Sequence, residues 1–259
     1  MKIKQIYIPS SDLNPYVDHS YFYVLVNDIT KQAIAFDPGL FTPINNFLQE
    51  QSLELTAILN THHHPDHVGA NLELQKKYNC PIYSSLYDEK RVPGVTHTLT
   101  PGQSIELIGT NIEVLDLKAH TLGLIGFYVP AKKALFPGDA IFSAGCGKLF
   151  EGNGEDLYQS FKRIGALPSD TLIYCSHEYT EKNIEFALSV DAENQDLKSY
   201  KSSVDALRTL NRPTIPCQLK TELKINPFFQ VFNQDFLTKN NFKDPVSAIA
   251  KLRSLKDQF

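Results

Sequence analysis

Nine consecutive residues constrain this chain more than any other stretch of its 259. The run Thr61-His62-His63-His64-Pro65-Asp66-His67-Val68-Gly69 packs four histidines and a carboxylate into six positions, directly after an apolar segment at 56–60. A hydrophobic core has no use for such a cluster. In extended backbone His62 and His64 point to one side and His63 to the other, while a turn starting at Pro65 swings Asp66 and His67 towards the first pair. Neutral imidazole and carboxylate are the donors that zinc and similar borderline metals accept, so the spacing reads as a metal site mounted at the end of a strand. His63, facing away, is expected to support the cluster rather than ligate.

The rest of the chain reads as alternating strands and helices. Short β-rich runs at 21–26, 33–36, 56–60, 82–84, 112–117, 124–129, 134–136 and 172–175 predict a sheet-rich first part, with helices at 43–49, 70–78 and 155–164 set between strands. From about residue 180 the strand signal fades, and 182–189, 196–210 and 246–255 read as amphipathic helices, the last opening after Asp244-Pro245. An α/β class is expected, with one domain over 1–175 and a helical one over 176–259. Three more metal-type residues stand just after strands: His120, Asp139 and His177. Strand-end loops on a rigid scaffold commonly carry binding groups, yet each of the three alone is equally readable as an ordinary polar loop residue.

Composition narrows the partners. A net charge of -4 supplies no basic field for a phosphate backbone, so nucleic acid is not expected. No segment offers the ~20 continuous apolar residues of a membrane span, and the N-terminal apolar stretch at 6–9 is too short for a leader core. Cys80, Cys146, Cys175 and Cys217 are scattered without a C-x-x-C pair, so a reducing cytoplasm, with no disulfide framework, is the expected setting.

The segment 61–69 resembles the signature of the metallo-β-lactamase superfamily. Ala119-His120-Thr121-Leu122-Gly123, Phe136-Pro137-Gly138-Asp139-Ala140, the glycine-rich run 144–152 and Tyr174-Cys175-Ser176-His177-Glu178-Tyr179-Thr180 are similar, in order and spacing, to the glyoxalase II family within it, as are Asn226-Pro227-Phe228 and the closing 256–259. The resemblance implies an αββα sandwich followed by a small C-terminal helical domain. It implies two divalent cations, zinc with iron or manganese as alternatives, one held by His62, His64 and His120 and the other by Asp66, His67 and His177, with Asp139 bridging. It further implies hydrolysis of S-D-lactoylglutathione by a hydroxide shared between the metals, Asp66 and Asp139 serving the catalytic centre; a monomer is expected, though the sequence does not fix the oligomeric state. Lys148 and Tyr179 would contact the glutathione part; on composition alone they read as a solvated lysine and a half-buried tyrosine.

Departures from the family pattern bear on the substrate. Gln230 and Asn233 stand where relatives often have an arginine and a lysine, so two cationic partners for a glutathione carboxylate are expected to be missing; Leu124 and Phe150 replace a histidine and a tyrosine. Three other readings remain at this stage: a one-iron dioxygenase acting on glutathione persulfide, a thioesterase for another acyl thiol, and a metal-binding protein without catalysis. Metal count separates the first from a two-metal hydrolase.

Overall fold

The computed structural model describes residues 1–9 and 17–259; of the N-terminal segment 1–13, whose apolar stretch the sequence reads as too short for a leader core, residues 10–13 lie outside the described residues. The chain divides into two compact units, Met1–Leu115 with Gly123–Lys132, and Asp116–Leu122 with Lys133–Phe259.

In the first unit, strands β1 (Lys2–Ile8), β2 (Ser20–Asn27), β3 (Gln32–Phe36), β4 (Glu54–Leu59), β5 (Ile82–Ser85) and β6 (His97–Leu99) form one sheet in chain order. β1, β2 and β3 pair antiparallel and β3 to β6 parallel. Helices α1 (Phe41–Glu50), α2 (Pro65–Val68) and α3 (Asn71–Tyr78) lie in the connections. Phe22, Val24, Val26, Ala35, Ile58 and Ile82 from the strands cluster with Ile44 and Leu48 of α1 and Leu74 of α3. The intervening Tyr21, Tyr23 and Leu25 are buried as well, so both faces of β2 are covered. β7 (Ser104–Leu107), β8 (Thr110–Asp116) and β9 (Ile125–Val129) are neighbours in the order β9-β8-β7, and Phe127 of β9 meets Phe36 of β3 at 5.9 Å between ring centres.

The second unit holds β10 (Ala134–Phe136), α4 (Gly154–Gly165), β11 (Leu172–Ile173), α5 (Thr180–Val190), α6 (Gln195–Thr209), β12 (Cys217–Gln218), α7 (Leu219–Ile225), α8 (Pro227–Gln230), α9 (Gln234–Lys239) and α10 (Pro245–Asp257). β10 pairs parallel with β11, and β11 antiparallel with β12. α4 opens on a capping box between Asn153 and Asp156, and α10 opens on Asp244 with Pro245 in its first turn, the start that the sequence predicts for that last helix. α5, α6 and α7 close a small core of Ile184, Ala187, Leu197, Val204 and Ile225 around Ala144.

The predicted elements recur with shifted ends. The strand expected at 172–175 is only Leu172–Ile173, and the fading of strand signal after 180 misses β12, because a two-residue strand carries no readable alternation. β1, β6, β7 and α7 to α9 were likewise outside the predicted set.

The approach of α2 to the end of β3 is tight: a Cβ added at Gly39 would stand 2.0 Å from the backbone oxygen of Asp66. Gly39→Ala must therefore push α2 away, and chemical denaturation should record a loss of about 1–3 kcal/mol. Gly102→Ala, whose added Cβ meets nothing within 4 Å but whose φ is +88°, should cost about 1 kcal/mol or less through backbone strain alone.

Candidate metal centre

Of the seven residues expected to hold metal, His62, His64, Asp66 and His67 lie in the first unit. Asn60, Thr61 and His62 leave the buried end of β4, and Pro65 begins α2 with His64 at its N-cap. Asp37, at the end of the adjacent strand β3, accepts from the Thr61 backbone N–H at 2.7 Å and from the Thr61 hydroxyl at 2.7 Å. With its proton committed to Asp37, the Thr61 hydroxyl at 3.0 Å accepts from His62 Nδ1, which leaves the lone pair of His62 on Nε2. That nitrogen faces His64 Nδ1 at 3.0 Å, an approach that requires either a proton or a cation between the two lone pairs. His67 has Nδ1 at 3.1 Å from Asp37 and Nε2 at 3.4 Å from Asp66, and its ring lies 4.1 Å from that of His62. His63 turns the other way, to Asp88 at 3.4 Å and Arg91 at 3.5 Å, as its place in the alternation predicts.

His120, Asp139 and His177 come together in the second unit. Asp139 Oδ2 stands 3.6 Å from His120 Nε2 and 3.6 Å from His177 Nε2. A backbone oxygen can only accept, so the 2.7 Å contact of His120 Nδ1 with the Lys148 carbonyl fixes the proton on Nδ1 and leaves Nε2 for ligation. Gly147 is backed against the Asp139 main chain and the His120 ring, with no room for a Cβ beside the Asp139 backbone oxygen at 2.1 Å and His120 Nδ1 at 3.0 Å. In each unit the donors are imidazoles and carboxylates, the types that suit a divalent cation.

Beside His177 opens a cavity of 610 Å³, within the usual range for small-molecule sites. Its lining includes the expected Lys148 and Tyr179, and also Lys182, Arg253 and Lys256. The Tyr179 ring lies flat on His177 at 4.8 Å and 6°, and Phe142 meets both edge-on. Burial pushes the Lys256 ammonium down to about 8, with Arg253 adding to the effect. Lys148 holds its ammonium over the ring of Phe150 at 5.6 Å.

Gln230 and Asn233 line a different cavity, with Phe161, Lys162, Leu223 and Phe232; Gln230 donates to the Leu223 carbonyl and Asn233 caps α9. Lys182 of α5 and Arg253 and Lys256 of α10 join Lys148 around the other cavity. Sequence reading also passed over Asp37, whose only signal is a lone carboxylate before Pro38-Gly39 at a strand end.

Fold and ligand set together define a metallo-β-lactamase-type protein: residues 15–177 match the profile of the metallo-beta-lactamase superfamily, and 178–259 that of the hydroxyacylglutathione hydrolase C-terminus. A Synechococcus hydroxyacylglutathione hydrolase is 40% identical, the match covering 95% of this chain and 98% of that one; its Rhodospirillum rubrum counterpart is 38% identical over 93% and 94%. The crystal structure of the BLEG-1 B3 metallo-beta-lactamase, 23% identical, superposes with a TM-score of 0.66 over 88% of this chain and 99% of its own, a likeness of fold. The chain belongs to the hydroxyacylglutathione hydrolase family.

Asp37 aims two of the proposed ligands from behind, a role whose loss typically costs 10–100-fold in metal affinity. Asp37→Ala should weaken metal retention by about that factor in chelator competition, while the far-ultraviolet circular dichroism stays that of the native fold.

Proposed function

We propose that this chain hydrolyses the thioester S-D-lactoylglutathione to D-lactate and glutathione, using two divalent cations. His62, His64 and His120 would hold one, Asp66, His67 and His177 the other, with Asp139 shared between them. Zinc suits this set, and iron or manganese are accepted by the same donors. The observation that carries the reading is Tyr179: it lines the cationic cavity and lies flat on His177, which ties a place for an anionic thiol carrier to a ligand of the centre. Family membership supports the thioester as the bond that is cut.

Bound there, the cations would supply Lewis acidity and a water acidic enough to ionise near neutral pH. The chain's own groups do the rest. Thr61 and the Lys148 carbonyl hold the rings of His62 and His120 in the tautomers that present Nε2. Lys148, Lys182 and Lys256 offer positive charge to the carboxylates of a glutathione moiety, whereas Arg253 is occupied by the Cys146 and Gly147 carbonyls and by Asp257. The leaving thiol has a pKa of about 8.5 and departs without a strong general acid. The four cysteines are free, which favours a reducing cytoplasm, and among the described residues no helix is long and apolar enough to cross a membrane. All these residues come from one chain, so a monomer suffices. We assign the catalytic part to 1–175 and the substrate-covering helices to 176–259.

Elemental analysis should find close to two metal ions per chain, with hydrolysis lost in chelator. Asp139→Ala should lower kcat by more than about 100-fold and His63→Ala far less. A single tightly bound iron, with no second equivalent, would favour persulfide oxidation instead.

Lys256 sets a pH dependence. Its ammonium is charged below about 8 and neutral above, so capture of an anionic substrate weakens as pH rises through that value. A hydrogen bond to a charged group is worth about 1.5–3 kcal/mol, so KM for the glutathione thioester should climb by roughly tenfold or more across this range. Lys256→Met should start from the high KM and show a flat profile.

A further inference from the structure

The loop between Asp139 and Lys148 is polar backbone that runs through the interior, and side chains behind it meet the carbonyls of Phe142, Ser143, Gly145, Cys146 and Gly147 and the N–H of Ala144. Asn226 Nδ2 lies 3.2 Å from the Phe142 carbonyl and 3.0 Å from that of Gly145. Asn183 donates to the Ser143 carbonyl at 2.9 Å, and Arg253 to those of Cys146 and Gly147 at 2.9 and 3.3 Å. At the centre stands Glu222, wholly buried on α7, which accepts from the Ser143 hydroxyl at 2.8 Å, the Ala144 backbone N–H at 2.8 Å and Asn226 at 3.0 Å. Ala144 takes φ +55° there, a conformation that alanine avoids and that these contacts maintain.

A buried carboxylate facing only neutral donors is costly to keep and has to do something for the site or the fold. What it fixes is the path of the loop. The far end of that loop delivers the Lys148 carbonyl to His120 Nδ1 and the Lys148 ammonium to the substrate cavity, while Asn183 also accepts from Lys256 in a short hydrogen bond. We propose that Glu222, through Asn226 and the 142–148 backbone, is a positioning residue that sets His120 and Lys148 together, so that one buried clamp governs both a proposed metal ligand and substrate capture. This rests on the hydrolase reading above.

The clamp makes a demand that general stability does not. Loss of Glu222 should lower kcat through a misaimed His120 and raise KM through a displaced Lys148, whereas a smaller folded fraction lowers apparent kcat and leaves KM alone. The conservative change Glu222→Gln can keep the geometry, since an amide oxygen accepts from Ala144 and Asn226 while the amide nitrogen donates to Ser143 Oγ.

The test compares wild type, Glu222→Ala, Glu222→Gln and the core variant Ile164→Ala, with steady-state kinetics on the glutathione thioester, calorimetric binding of glutathione and amide hydrogen exchange. Glu222→Ala should lose about 10–100-fold in kcat/KM, divided between both constants, and bind glutathione more weakly; Glu222→Gln should recover to within about threefold; Ile164→Ala should melt earlier with KM unchanged. In wild type the Ala144 amide should exchange as slowly as the core strands. Fast exchange at Ala144 in wild type overturns the clamp even if Glu222→Ala fails to fold, as does an alanine variant with unaltered KM and glutathione binding. A wild type inert towards the thioester, with Ala144 still protected, sinks the hydrolase reading and leaves the clamp to be judged on glutathione binding.

Discussion

A buried imidazole serves as a ligand only if its other nitrogen is already engaged, because an unfixed ring rotates and an unfixed proton can sit on the wrong atom. The structure meets this condition for two of the proposed ligands by two different means, and sets the Asp37 carboxylate 3.1 Å from Nδ1 of a third, His67. His62 is fixed by a hydroxyl that has itself been fixed by Asp37, and His120 by a backbone carbonyl. Each device needs its acceptor held rigidly, so much of each unit's architecture follows from holding them.

In the first unit the parallel pairing of β3 and β4 is what brings Asp37 beside Thr61, since both leave the sheet at the same edge just beyond a paired strand end. Gly39 and Gly69 then allow the chain after β3 to touch α2 with no side chain between. In the second unit the acceptor is main chain, and main chain in an interior must be satisfied along its whole length. Side chains on α5, α7, α8 and α10 are spent on that task, and this explains why polar residues such as Asn183, Glu222, Asn226 and Arg253 are buried in a region that otherwise packs as helices around apolar side chains.

This distribution decides what could be read in the sequence. Residues 61–69 were legible because the donors are contiguous and strand alternation sorts His63 from its neighbours without any tertiary information. His120, Asp139 and His177 were legible as strand-end residues, though only resemblance joined them into a set. Asp37 was not, because its role comes from strand pairing. Arg253 was missed for a related reason: on an amphipathic helix at 246–255 it looks like the solvated face, and it is packing against the 142–148 loop that turns it inward; Lys256 stands just past that predicted helix and reads only as part of the closing run 256–259. β12 and the short helices between 219 and 239 escaped because elements of two to seven residues hold too few periods to register.

Gln230 and Asn233 show how quickly position changes along this segment. They follow Asn226-Pro227-Phe228 so closely that they invite assignment to the same function, yet Asn226 faces inward to the 142–148 loop while Gln230 and Asn233, one turn and two turns on, cap and line the outer side of α8 and α9. A helix turns through a third of a revolution or so per residue, and a few positions suffice to exchange an interior role for a surface one. Positive charge is gathered from positions more than a hundred residues apart in the chain, from Lys148 to Lys256, around one cavity. A compact donor motif is written locally, whereas a cavity lined by distant residues is written in the tertiary fold, where a sequence alone does not show which residues meet.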